Sequence, residues 1–231
     1  MTAFATVEDL HAGYGHAEVL FGLGLTINEG QVTTLMGRNG MGKTTTIRCL
    51  MGLLKPRAGR ITIRGQDMTG AAPYAVAKAG VGLVPEGRQV FPSLTVTENL
   101  VATGRPGAWT VDKIFEAFPR LAERKDHYGF QLSGGEQQML AVSRALMTNP
   151  DLLILDEATE GLAPLIRAEI WDMLHSLKTT GLSILLIDKN LTELSRVSDQ
   201  YYVIEKGRIV WNGTADMFEA NRAQVEAHLH I

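Results

Sequence analysis

The run VTTLMGRNGMGKTTTI, residues 32–47, sets Gly37, four further residues, then Gly42, Lys43 and Thr44 between a β-branched stretch and a helical one. Glycines at that spacing let backbone N–H groups curl round a phosphate chain, and a helix start just beyond adds the positive end of its dipole. Lys43 is placed to reach the β- and γ-phosphates of a nucleoside triphosphate, and the Thr44 hydroxyl to ligate Mg²⁺. Gly37, Arg38, Asn39, Gly40, Met41, Gly42, Lys43, Thr44 and Thr45 are therefore candidate nucleotide-binding residues.

A second stretch, DLLILDEAT at residues 151–159, ends an apolar strand with Asp156 and Glu157. Adjacent carboxylates repel unless a cation or a proton is shared, and a phosphate-bound Mg²⁺ supplies the cation. Asp156 is then a metal ligand, directly or through water, and Glu157 the base that orients and deprotonates an attacking water. A solvated acidic strand end is the plainer alternative when the stretch is taken alone. The third, QLSGGEQQMLAVSRALM at residues 131–147, pairs Ser133 with Glu136 as a capping box before an amphipathic helix. A cap needs no glycines, yet Gly134 and Gly135 leave bare N–H groups at the helix start, which is a second anion site. Two phosphate sites for one triphosphate suggest that two copies share each nucleotide.

The elements that must position these groups are legible from periodicity. Short strands are expected near residues 6–10, 20–27, 31–36, 60–64 and 82–84, with one helix at 43–53. Helices follow at 97–102, 111–118 and 135–147, then a strand at 152–155, a helix at 166–178 and a strand from Ser183. Strands alternating with helices predict an α/β fold with a largely parallel sheet covered on both faces. The helical middle, residues 90–147, reads as a subdomain inserted into a single domain spanning 1–231. A formal charge of −3 gives no reason to expect nucleic acid or an anionic membrane surface as partner. The single Cys49 cannot form an internal disulfide and fits a reducing compartment. No secretory signal is visible, and apolar stretches such as 19–28 fall short of the ~20 residues that cross a membrane. A soluble, cytoplasmic chain is expected, free to dock on something that does span one.

LSGGEQ, lying between the phosphate loop and LLILDE, makes the chain similar to the ATP-binding cassette family over residues 4–219. The resemblance implies a P-loop ATPase core with an N-terminal antiparallel β-subdomain and an inserted helical subdomain. It also implies a head-to-tail dimer, with ATP between Gly37–Thr45 of one subunit and Ser133, Gly134, Gly135 and Glu136 of the other. Tyr14 occupies the place of the family's adenine-stacking aromatic, although a lone tyrosine equally serves packing. VPEGRQVFPSLTVTENL, LSGGEQQMLAVSRALMTNP and LDEATEGLAP resemble the smaller-type ATPase subunit of branched-chain amino acid importers. Importers of urea or short amides share much of this pattern.

Three positions depart from the family's commonest form. Glu86 stands where many relatives carry a glutamine that senses Mg²⁺ and the attacking water, and a carboxylate is the better ligand for a hard cation. Ala163 replaces the aspartate that usually reaches across the dimer, leaving Gly161 and backbone groups to substitute. In SILLIDKN, residues 183–190, Lys189 stands where most relatives carry a histidine that contacts the γ-phosphate. It is either an exposed loop charge or a fixed cation on the transferred phosphoryl group. Glu86 and Lys189 add opposite charges, which suggests that they compensate around the same γ-phosphate and Mg²⁺. The implied partners are two membrane permease subunits, a second ATPase subunit of the same or a related kind, and indirectly a periplasmic or extracellular solute-binding protein. The implied location is the cytoplasmic face of the cell membrane. A non-transporting soluble cassette ATPase shares the motifs but usually carries two cassettes or long insertions. P-loop kinases and GTPases lack LSGGEQ.

Overall fold

The structure, a computed structural model, describes residues 2–229. In chain order it runs β1 (Ala3–Tyr14), β2 (Ala17–Asn28), β3 (Val32–Met36), α1 (Lys43–Leu50), β4 (Ala58–Ile63), β5 (Gln66–Asp67), α2 (Pro73–Lys78) and β6 (Val81–Val84). Then come α3 (Val96–Thr103), α4 (Val111–Ala117), α5 (Pro119–Glu123), a 3₁₀ turn at Gly129–Gln131 and α6 (Gly134–Leu146). The chain returns to the sheet with β7 (Leu152–Asp156), α7 (Pro164–Thr179), β8 (Ser183–Ile187) and α8 (Leu191–Val197). It finishes with β9 (Gln200–Glu205), β10 (Arg208–Thr214), α9 (Ala215–Ala220) and α10 (Arg222–Leu229).

Two sheets result. An antiparallel sheet of order β2-β1-β4-β5 packs beside a six-stranded sheet of order β10-β9-β3-β8-β7-β6, parallel throughout except for the β9–β10 hairpin. Every residue of β3 (VTTLM), β7 (LLILD) and β8 (SILLI) is buried, as strands covered on both faces require. One apolar cluster joins α3, α6 and α7 to one face of that sheet; the other joins α1 and the antiparallel strands to the opposite face. Cys49 lies in the second, and burial pushes its thiol up to about 11.

The expected fold class holds, and the differences from the sequence reading have local causes. Helix α1 stops at Leu50 rather than residue 53. Gly52 adopts φ 69°, its N–H bonds the Cys49 carbonyl at 3.1 Å, and the Leu53 N–H bonds the Arg48 carbonyl at 2.8 Å. That paired closure is the Schellman helix end, which glycine makes without strain. Strand β1 is more than twice as long as its apolar signal, because register shifts near Asp9 let β2 and β4 keep pairing past the alternating stretch. The short α2, α5 and β5, and the elements from α8 onward, gave no signal that the periodicity reading registered.

Candidate active site at the strand ends

The six-stranded sheet brings the loops after β3, β6, β7 and β8 to one edge, outside the carboxyl ends of parallel strands where open α/β sheets bind ligands. The phosphate loop leaves β3 with Gly37, whose hypothetical Cβ would lie 2.5 Å from the Ile204 carbonyl oxygen of β9. Gly42 caps α1 at φ 112°, a conformation that only glycine adopts freely. No side chain caps this helix start and no acidic residue lies in its first turn, so its N–H groups and dipole remain available to an anion. Lys43 is 6% exposed and folds back, donating to the Gly37 carbonyl at 2.9 Å and the Arg38 carbonyl at 3.1 Å. Asn39, Gly40, Gly42, Lys43, Thr44 and Thr45 line one groove with Glu86 and Glu157, while Gly37, Arg38, Asn39 and Met41 line an adjoining cavity with Lys189.

Asp156, at the end of β7, is 4% exposed and hydrogen-bonds the Thr44 side chain. Burial raises its pKa, the Thr44 bond opposes that rise, and the nearby Glu86 charge adds to it. Its Oδ1 has no hydrogen-bond partner. A buried carboxylate oxygen without a donor, beside a hydroxyl and a second carboxylate, is a set of hard oxygen ligands suited to Mg²⁺.

Glu157 is the next residue, held in the left-handed region at φ 52° with its N–H bonded to the Ile187 carbonyl at 2.9 Å. Its carboxylate lies 3.5 Å from Lys43 Nζ and hydrogen-bonds the Glu160 carboxyl. Burial, reinforced by Glu160, lifts the Glu157 pKa to about 7, with Lys43 and Lys189 opposing. Glu160 is pushed the other way by its bonds to Glu157 and Lys189. Lys189 Nζ lies 2.8 Å from Glu160 Oε1, an exposed pair that raises the lysine's pKa. Behind it, Asp188 accepts from the N–H groups of Lys189 at 2.8 Å and Asn190 at 2.9 Å, and its other oxygen accepts from the Thr159 hydroxyl. Lys189 and Glu86 both neighbour Glu157 in the cavities they line, but the carboxylate paired with Lys189 is Glu160, not Glu86.

The Ser133–Glu136 capping box forms as expected: Glu136 N–H donates to Ser133 Oγ at 3.3 Å, and Ser133 N–H to Glu136 Oε2 at 2.8 Å. These residues line neither cavity at Glu157. The glycines beside them have a packing reason as well as a bare backbone. A Cβ on Gly134 would stand 2.1 Å from Arg88 Nη1, and one on Gly135 2.8 Å from the Ile166 side chain. Arg88, two residues past Glu86, also donates to the Gly161 carbonyl at 3.3 Å, so one guanidinium touches the helix start and the loop after Glu157. The segment between Glu86 and α3 is pinned by fully buried Asn99, which accepts from the Phe91 N–H and donates to the carbonyls of Phe91, Leu94 and Thr95. Arg144 of α6 stacks on the Phe91 ring at 4.1 Å and bonds the Gln89 carbonyl. Tyr14, at the end of β1, is 44% exposed and meets Arg48 of α1 through its hydroxyl at 3.3 Å.

Residues 20–160, more than half of the chain, match the family model described as ABC transporter. The chain belongs to the ABC transporter family. It is an ATP-hydrolysing enzyme, as the family and its solved cassettes support. A high-affinity branched-chain amino acid transport ATP-binding protein of Pseudomonas aeruginosa is 37% identical over 221 residues, covering 94% of this chain and 95% of that protein. A Nod factor export ATP-binding protein I of Ralstonia nicotianae is 39% identical over 219 residues, covering 92% of this chain and 67% of that protein. Among solved structures, a nucleotide-free ATP-binding cassette from an ABC transporter superposes with a TM-score of 0.85 at 26% identity, covering 100% of this chain and 99% of its own.

Within this ABC ATPase, sequence reasoning missed the residues that act through others. Glu160, Arg88, Asp188 and Asn99 lie within the stretches LDEATEGLAP, VPEGRQVFPSLTVTENL and SILLIDKN, yet none stands out there, because each is an ordinary polar residue until the loops meet. A signal existed for Glu160, which follows Glu157 at a spacing of three in EATE, within reach of a shared turn. Ala163 forms the start of α7 without a side-chain cap, and Gly161, expected to substitute for the missing aspartate, has its carbonyl engaged by Arg88. No helix among the described residues is long and apolar enough to cross a membrane.

Proposed function

We propose that this ATPase powers import of branched-chain amino acids, working as a peripheral subunit on the cytoplasmic face of the cell membrane. The observation that carries the ATPase part is the meeting of Lys43, at the uncapped start of α1, with Glu157 at the end of β7, 3.5 Å apart in one groove. The Gly37–Thr45 loop binds the phosphates, Tyr14 offers its exposed ring to the base, and Thr44, Asp156 and Glu86 hold Mg²⁺. The metal would supply charge neutralisation at the β- and γ-phosphates. Glu157 orients the attacking water and takes its proton, and Lys189 sets a cation toward the terminal phosphate. Ser133, Gly134, Gly135 and Glu136 serve the nucleotide of a second subunit in a head-to-tail homo- or heterodimer.

Residues 1–231 form one nucleotide-binding domain, with the helical insertion of about 90–147 carrying the permease contact near Phe91. Two membrane permeases and a solute-binding protein complete the importer. The branched-chain amino acid reading is supported by the transport relative of Pseudomonas aeruginosa, 37% identical over 94% of this chain and 95% of its own length. Co-purification with candidate permeases, followed by assay in liposomes, tests this. ATPase activity stimulated by a branched-chain amino acid with its binding protein supports it; stimulation by urea or a short amide instead, or by no imported solute, rejects it.

A further inference from the structure

The loop after β7 and the loop after β8 are stitched at two points: Thr159 to Asp188, and Glu160 to Lys189 at 2.8 Å. The two stitches differ in kind. Asp188 fixes the turn itself, accepting two backbone N–H groups as well as the Thr159 hydroxyl. The Glu160–Lys189 pair is made at the end of a four-carbon stem, with side chains 53% and 46% exposed, so it is weak, screened by salt and easily exchanged. The backbone of Lys189 is therefore held while its ammonium is free to change partners. Glu157 and Glu160 share a cavity of about 430 Å³ with Lys189, and Glu157 also lines the phosphate-loop groove. A terminal phosphate arriving there carries more charge than one carboxylate and competes for the same ammonium.

We propose that Glu160 is a positioning residue that parks Lys189 beside Glu157 and gives it up to the terminal phosphate of ATP. This rests on the reading above that Lys189 meets that phosphate. Parking costs ATP affinity, because the ammonium must leave Glu160 first, and it leaves ADP affinity alone, because ADP has no terminal phosphate to compete. Glu160 thereby lowers the preference for ATP over ADP.

The test measures dissociation constants of a non-hydrolysable ATP analogue with Mg²⁺, and of ADP, on the full chain. The variants are Glu160→Gln, Lys189→Gln and the double variant, each checked for an unchanged thermal unfolding profile. Parking is supported if Glu160→Gln tightens the analogue about 2- to 5-fold, leaves ADP unchanged, and loses that gain when Lys189→Gln is present, the non-additivity of neighbours that interact. A gain that persists without Lys189, or that extends equally to ADP, reduces Glu160 to a general negative charge and overturns the proposal. If Glu160→Gln changes nothing while Lys189→Gln weakens the analogue, parking fails and Lys189 keeps its phosphate role. If Lys189→Gln leaves the analogue's affinity intact, the reading of Lys189 itself falls, and parking with it. Should Glu160→Gln unfold early, Glu160→Ser in the same scheme keeps the loop polar and reads the same coupling.

Discussion

Lys43 Nζ lies 3.5 Å from Glu157 Oε1, the one lysine at the start of α1 against the one glutamate at the end of β7. Their side chains are 6% and 14% exposed, so the contact is made largely out of water. It joins the group that holds phosphate to the group that activates water, and the distance between those two tasks is a single ion pair. The same contact explains why Glu157 stays titratable near neutrality. Burial and the bond to Glu160 drive it up, and Lys43 and Lys189 restrain it.

Glu157 must be unprotonated to accept a proton from water, and its pKa is raised to about 7. The pH profile of kcat/KM, which reports the nucleotide-free chain, should therefore climb with pH through about 7 and fall roughly tenfold per unit below it, before any global acid unfolding. A pH–rate profile checks this. A rate that is flat from about pH 6 to 8 would place the base elsewhere.

Asp156 keeps one oxygen without a donor. Asp156→Asn should retain nucleotide binding in chelator, yet bind Mg²⁺–nucleotide at least about tenfold more weakly than the unaltered chain, because a neutral amide is a poorer ligand for a hard cation. Calorimetric titration with and without Mg²⁺ separates the two. Equal losses in both would make Asp156 a scaffold for Thr44 only.

Gly135 faces Ile166 with room for no side chain, since a Cβ would come within 2.8 Å. Gly135→Ala should lower activity, and Ile166→Ala in the same chain, which removes both γ-carbons that the new Cβ would meet, should recover part of it. Recovery would assign the glycine to packing between α6 and α7. No recovery, with folding intact, would assign it to the bare backbone that faces a nucleotide.

Asn99 satisfies four backbone groups of the segment 91–95 while fully buried. Asn99→Ala should destabilise the chain by about 1–3 kcal/mol, since the Phe91 N–H loses its acceptor while the three carbonyls keep only their backbone donors. Urea unfolding measures it. A loss below roughly 1 kcal/mol would mean the segment re-forms its bonds without Asn99.

These contrasts show where sequence is informative. The phosphate loop, LLILDE and LSGGEQ were legible because each is local. Glycines, a lysine and a hydroxyl at fixed spacing, or carboxylates ending an apolar run, carry their geometry in a few consecutive residues. The buried strands were legible for the same reason. What escaped is what depends on two distant loops meeting. Lys189 read as a phosphate cation balanced by Glu86, because charge alone could be counted. The carboxylate it pairs with in the structure, Glu160, is 29 positions away and becomes its neighbour only when β7 and β8 align in register. Arg88 on Gly134 is the same case, as a glycine that reads as a bare anion site also makes room for an arginine.

The most direct measurement is the ATPase rate of Glu157→Gln beside its affinity for ATP. The substitution keeps the side chain's size and removes its basicity. Hydrolysis should drop by about 10²- to 10⁴-fold, the usual contribution of general-base catalysis, with ATP affinity unchanged or tighter. A Glu157→Gln chain that turns over ATP at near the normal rate would contradict the assignment of Glu157 as the base.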